Sequence, residues 1–205
     1  MVSVSSSPVD DAAPPHRAAV DELARAAYKL SAADARLRGR ATRDPDALSL
    51  THARALLTSA PEGATDYIDA DLRNADQILA KAAETLDFSQ PVAVMLMAIL
   101  QHLGDEHDPY AVVAQLMAAL PAGSYLALSH PAKDIHAAEM AEMANRLNQM
   151  MAEKVTFRAQ AEVAPFFAGL ELIDPGMTNV PDWRPETDEE ASSPAALWGG
   201  VARKP

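Results

Sequence analysis

The sequence predicts an α/β fold with a Rossmann-like, mostly parallel sheet that ends in an antiparallel hairpin. Three observations predict it. Helical and strand-like segments alternate from residue 44 to about residue 168, the order that builds parallel strands joined by right-handed crossovers. Pro91 to Met97, PVAVMLM, is a continuous apolar run, as expected of a strand buried on both faces. Two short strands then follow one another near the C-terminus, which predicts an antiparallel pair at one sheet edge.

The chain has 205 residues, 49% of them hydrophobic, enough for one domain with a sizeable core. Residues 1–14 are rich in Ser, Pro and Asp and are expected to be a disordered tail. Residues 15–205 are expected to form the single domain. The formal net charge of −12 repels phosphate backbones and anionic bilayers, so neither nucleic acid nor membrane is an expected partner. No apolar stretch reaches the length of a membrane span, and the N-terminus lacks the basic and apolar regions of a signal peptide. A cytoplasmic location is therefore expected. The absence of cysteine removes disulfides, thiolate chemistry and cysteine-ligated metals.

The elements follow in order. Pro15 opens a helix with Val20, Leu23, Ala24, Ala27 and Tyr28 at helical spacing. Residues 37–43, LRGRATR, are basic and read as a loop or a poor edge strand. Asp44-Pro45 is a cap followed by a first-turn proline, and Leu50, Ala53, Leu56 and Leu57 give the next helix one apolar face. Thr65 to Asp69 is a short strand, and a helix follows near Asn74 to Thr85. After the apolar run, Asp108-Pro109 repeats the cap-plus-proline device and opens a helix carrying Val112, Val113, Leu116 and Leu120. Ser124 to Ser129 is a strand. Residues 134–168 are expected to be helical in two pieces. Leu170 to Ile173 is a short strand, and Ala196 to Arg203 is the last, interrupted by Gly199-Gly200.

Several segments in this order resemble one family. They are Asp44-Pro45 with Thr51-His52-Ala53-Arg54-Ala55-Leu56-Leu57, then Tyr67-Ile68-Asp69-Ala70-Asp71-Leu72-Arg73, Pro91-Val92-Ala93-Val94 and Asp105-Glu106-His107-Asp108-Pro109. Gly123-Ser124-Tyr125-Leu126, Leu128-Ser129-His130, Ala161-Glu162-Val163 with Phe166-Phe167, and Gly169-Leu170-Glu171-Leu172 continue it. Trp183-Arg184-Pro185 and Gly199-Gly200-Val201-Ala202-Arg203-Lys204-Pro205 close it. Together they resemble the actinobacterial S-adenosyl methyltransferases once known only as a domain of unknown function. The likeness runs over residues 44–205. Upstream, the family has a first strand ending in Gly-x-Gly and a second strand ending in an acidic residue. Here Gly39 is the sole glycine before residue 44, and Ala41 or Thr42 occupies the acidic position. Residues 15–43 are thus read as a degenerate or truncated N-terminal part, with the first strand missing or replaced.

The resemblance implies a class I methyltransferase with S-adenosylmethionine as cofactor and a small molecule as methyl acceptor. In such a transfer the cofactor supplies the reactivity, and the protein supplies binding and alignment. It implies that Asp71 meets the adenine amine with the Leu72 amide beside it, and that Asp69 lies in the same cofactor loop. It places Met97, Ala98 and Ile99 along the methionine portion. By residue type alone, Asp69 and Asp71 are equally helix-capping loop carboxylates, and Met97 to Ile99 are core residues. Gln101 and His102 follow the strand and are the catalytic candidates on the acceptor side, with histidine suited to general base work at neutral pH. His102 reads equally as a structural residue. His102, Asp105, His107 and Asp108 do not share a helical face, and no metal site is assigned to them or to His130, Asp134 and His136. Ser129-His130 lacks the elbow of a serine hydrolase. Met140, Met143, Met150, Met151 and Leu147 read as core filling or a lid, or else as an acceptor pocket or dimer surface, so a homo-oligomer is a possible state. The alternative to an enzyme is a catalytically inactive, cofactor-poor relative that acts by oligomerising or binding a partner.

Overall fold

The structure is a computed structural model and describes the backbone of Val2–Ser5 together with residues 65–205. The helices expected after Pro15 and after Asp44-Pro45, and the basic stretch 37–43, lie outside the described residues. Within the expected disordered tail, Val2–Ser5 is a strand, β1. It pairs antiparallel with β2, Thr65–Ile68, with Val2 opposite Ile68 and Ser5 opposite Thr65. The alternation Val2-Ser3-Val4-Ser5 has the period of a strand, and a partner more than sixty residues away in sequence makes use of it.

The second sheet has five strands. They are β3 (Ala93–Met97), β4 (Tyr125–Pro131), β5 (Glu171–Leu172), β6 (Thr178–Asn179) and β7 (Leu197–Arg203). Their order is β3-β4-β7-β5, with β6 also on β7. β3 and β4 are parallel, with Met97 opposite Ser129, while β7 runs antiparallel to β4, β5 and β6. The expected terminal antiparallel arrangement is thus formed by β5 and β7.

Helix α1, Ala75–Ala82, starts at Asn74, whose side-chain oxygen accepts from the Gln77 amide at 3.2 Å. Helix α2, Pro109–Ala118, starts as the sequence indicates. Asp108 Oδ1 accepts from Ala111 N at 3.1 Å, and Pro109 fills the first turn, where no amide proton is needed. α1, α2 and the Phe166-Phe167 turn cover one face of the sheet, burying Leu96, Leu100, Val113, Leu116, Leu126 and Leu128. On the opposite face Met95 and Met97 pack with Ala127, Val201, Tyr125 and Trp183. The apolar run of β3 therefore has apolar neighbours on both faces. β4 is the deeper strand, with Leu126 to Pro131 all buried, whereas only Leu96 of β3 is.

Helix α3, Ala137–Met150, lies on the outside. Met140 is buried with Ala132 and Ala196, but Met143 and Met150 are 50% and 77% exposed. Core filling thus holds for Met140 and not for the other methionines. The helical stretch expected over 134–168 is broken, because residues 151–159 leave the helix and run extended before α4, Gln160–Val163. β7 passes through Gly199-Gly200 without the expected interruption. A Cβ on Gly199 would stand 2.6 Å from Val180 Cγ2, which the packing there does not admit, and one on Gly200 would stand 3.3 Å from Phe167 Cζ, a tight contact. The last helix, α5, is Asp188–Ala191. Among the described residues, no helix is long and apolar enough to cross a membrane.

Candidate functional site

In an open α/β sheet the crevice for ligands lies beyond the carboxyl ends of the parallel strands. Here the parallel strands are β3 and β4, and residues 153–158 touch the loops that follow both of them as well as the loop after β2 of the smaller sheet. Glu153 Oε1 stands 3.7 Å from Arg73 Nη2 in the loop after β2. Thr156 N donates to the Gln101 carbonyl, after β3, at 2.7 Å. Arg158 forms a parallel bridge with Ala132, after β4.

The end of β3 is locally strained. Ala98 has φ of 46°, a left-handed conformation that costs a non-glycine residue about 1–2 kcal/mol. Its amide donates to both the carbonyl and the hydroxyl of Ser129, at 3.0 and 3.2 Å, which ties it to β4. The turn brings the Ala98 carbonyl to Gln101, whose Nε2 donates to it at 2.5 Å. Gln101 is 3% exposed, and its Oε1 is buried with no donor among the described residues. A buried acceptor without a donor costs about 1–3 kcal/mol, so this oxygen is suited to a ligand that brings one. His102 is half-buried, with Nε2 3.5 Å from Gln101 Nε2.

Beneath this turn lies a buried cation. Arg158 is 2% exposed. Its Nη1 donates to Leu100 O at 3.2 Å, and its Nη2 donates to Leu103 O at 2.9 Å and to Asp105 Oδ1 at 2.7 Å. Nη1 also lies 3.0 Å from His130 Nε2. The guanidinium sits 5.8 Å from the centre of the Phe166 ring and 6.0 Å from that of Tyr110. His130 is fully buried, with Nδ1 3.0 Å from the Pro131 carbonyl. A carbonyl only accepts and a guanidinium only donates, so the imidazole is neutral with its proton on Nδ1. Burial, followed by the Arg158 charge, outweighs the Pro131 carbonyl and pushes its pKa down to about 4. His130 is a structural acceptor without a free nitrogen for base work.

Asp71 is exposed, and Arg73 engages both of its oxygens. Oδ1 accepts from Arg73 N and Nε, each at 2.9 Å, and Oδ2 accepts from Nε at 2.8 Å and also from Nη2. These bonds hold the Asp71 carboxyl below its ordinary range, the side-chain contact being the larger cause. The cap of α1 is Asn74, so the capping expectation for the Asp69–Asp71 pair is corrected: the preceding loop has an Asx turn at Asp71, and the helix amide goes to Asn74. Asp69 is exposed, and its carbonyl accepts from Lys81 Nζ at 3.1 Å. Leu72 is half-buried against the main core. Met97, Ala98 and Ile99 are all half-buried at the end of β3, with Met97 Sδ 3.8 Å from the Ser129 hydroxyl.

The acidic and histidine residues after β3 are divided among separate tasks. Asp105 pairs with Arg158, Asp108 caps α2, and His107 Nε2 stands 3.7 Å from Glu106. Asp134 accepts from Gln160 N at 2.9 Å and from Trp198 Nε1 at 2.6 Å. Sequence reasoning missed Arg158, Thr156 and Ser129. For Arg158 the only local signal is one basic residue after the β-branched and aromatic run Val155-Thr156-Phe157. Its partners lie 28 to 58 residues away, where no spacing rule reaches.

The sequence matches the S-adenosyl methyltransferase family over residues 27–205, a span that begins upstream of residue 44. The fold is similar to that of a DUF574 family protein from Streptomyces avermitilis, with a TM-score of 0.73 and 37% identity over 78% of this chain and 63% of that one. It is similar also to a candidate methyltransferase from Thermobifida fusca, with a TM-score of 0.68 and 31% identity over 78% of this chain and 61% of that one. The chain thus spans about three-fifths of the length of these two solved relatives. No curated protein matches the sequence.

Proposed function

Since the chain belongs to the S-adenosyl methyltransferase family, whose cofactor is S-adenosylmethionine, we propose that it binds this cofactor at the ends of β2, β3 and β4 and methylates a small molecule. The observation that carries the reading is the turn after β3, where a strained Ala98 and a buried, donor-seeking Gln101 Oε1 sit together at the crevice end of the sheet.

The bound cofactor supplies an electrophilic methyl group on a sulfonium, and displacement of the sulfur needs little from the protein beyond alignment. In this proposal Asp71 accepts from the adenine amine, the Leu72 amide lies beside it, and Asp69 borders the same loop. Met97, Ala98 and Ile99 flank the methionine portion. His102 is the base candidate on the acceptor side. Gln101 orients by accepting a hydrogen bond, since an amide oxygen is too weak a base to remove a proton.

The proposed setting is cytoplasmic, with no nucleic-acid or membrane partner, which suits a net charge of −12. A homo-oligomer is part of the proposal, supported by the exposure of Met143, Met150 and Met151. Incubation with S-adenosylmethionine labelled on the methyl carbon and a fractionated cell extract tests the acceptor class. Label in the small-molecule fraction is expected. Label confined to protein or nucleic acid would contradict the acceptor assignment.

A further inference from the structure

We propose that Gln101 Oε1 is the acceptor for the α-ammonium group of the cofactor, and so reads the amino-acid end of the molecule; this rests on the reading above. Three observations support it. First, the amide cannot turn over. Its nitrogen donates to Ala98 O at 2.5 Å, and the reversed orientation would set two oxygens against each other. The backbone beneath it is held as well, since Gln101 O accepts from Thr156 N.

Second, the oxygen on the other arm is 97% buried with its residue and has no donor among the described residues. A buried acceptor without a donor is costly, so the oxygen is matched to something that arrives with a proton to share. A carboxylate or phosphate offers none. An ammonium offers three and makes the stronger, charge-assisted bond.

Third, position selects among the cofactor's donors. The adenine amine and the ribose hydroxyls lie toward β2 in the proposed arrangement. The methionine portion runs along Met97 to Ile99, and Oε1 belongs to the amide that is bonded to Ala98 itself. In that arrangement the ammonium is the donor nearest the Ala98 turn.

The test is a thermodynamic cycle read by calorimetry. Wild type and Gln101→Met are each titrated with S-adenosylhomocysteine and with its deaminated analogue, which lacks only the ammonium. Wild type should prefer S-adenosylhomocysteine by roughly 10- to 100-fold, and the variant should lose about tenfold or more of that preference. An equal preference in both proteins would overturn the assignment and leave Oε1 to an internal water or to the methyl acceptor. If Gln101→Met shows no cooperative melting, the side-chain carbonyl resonance of Gln101 in wild type decides. It should shift with S-adenosylhomocysteine and not with the analogue; equal shifts overturn the assignment. Wild type that binds neither compound at millimolar concentration overturns the proposed function along with it. Binding of both without coupling overturns only this inference.

Discussion

Arg158 Nη1 stands 3.0 Å from His130 Nε2, so a permanently charged guanidinium is buried against an imidazole that must stay neutral. Protonating His130 would place two cations in contact and remove the acceptor that Arg158 uses. The folded-state pKa of about 4 lies below the ordinary 6.5, so the unfolded chain binds this proton first as pH falls. Stability should therefore decrease from pH 6.5 to about 4, by roughly 3 kcal/mol in total from this residue. Glu162 is lowered as well, but its loss falls in a more acidic window. Its carboxyl is held low by the Lys133 side chain and then by the Ala159 amide, so its contribution is lost only below the ordinary carboxylate range. Urea unfolding at a series of pH values measures the slope. His130→Gln should flatten the part between pH 6.5 and about 4.5, and an unchanged slope would reject the assignment.

The double engagement of Asp71 by Arg73 makes a second expectation, because a carboxylate with both oxygens occupied must release one to accept from adenine. Arg73 has Glu153 3.7 Å away as its next partner. Asp71→Ala should weaken binding of S-adenosylhomocysteine by about tenfold. Arg73→Ala should strengthen it, by up to about fivefold, since an exposed ion pair is easily given up. Weaker binding by both variants would make Arg73 a ligand contact and not a competitor.

Gly199 is placed where strand β7 touches Val180. Gly199→Ala puts a Cβ 2.6 Å from Val180 Cγ2 and should destabilise the fold by about 1–3 kcal/mol. Adding Val180→Ala should recover part of the loss, because the clash is with one side chain. Thermal melts of the two variants check this, and equal melting temperatures would show that the strand shifts as a whole.

Lys204 closes the far end of α2. Its Nζ donates to Met117 O at 2.9 Å, Ala118 O at 3.3 Å and Leu120 O at 2.6 Å, at the helix end where the dipole favours a cation. Lys204→Met should cost about 1–2 kcal/mol in urea unfolding. No loss would mean that solvent serves these carbonyls equally well.

What the sequence makes legible is what local spacing controls. Asp108-Pro109 marks the start of α2 to the residue, because cap and first-turn proline act within three positions. The apolar run locates β3, and the end of the chain shows its antiparallel strands. Features set by distant partners are not legible. Val2–Ser5 pairs with Thr65–Ile68 from across most of the N-terminal third. The extended segment 151–159 breaks a stretch whose composition suits a helix, because Thr156 and Arg158 gain partners on the loop after β3. Gly199-Gly200 reads as an interruption until Val180 and Phe167 are seen against it. In the candidate site, the sequence points to Asp71, Gln101 and His102. It shows neither that Arg73 covers Asp71 nor that Gln101 holds a buried oxygen lacking a donor among the described residues.

The proposed binding site for S-adenosylmethionine lies at the ends of β2, β3 and β4. Calorimetric titration of the full chain with S-adenosylhomocysteine tests it most directly. Saturable binding at one site per chain with a micromolar dissociation constant is the expected result. No heat at millimolar ligand, from protein shown by melting to be folded, would contradict it and would favour a cofactor-poor relative that acts through partners.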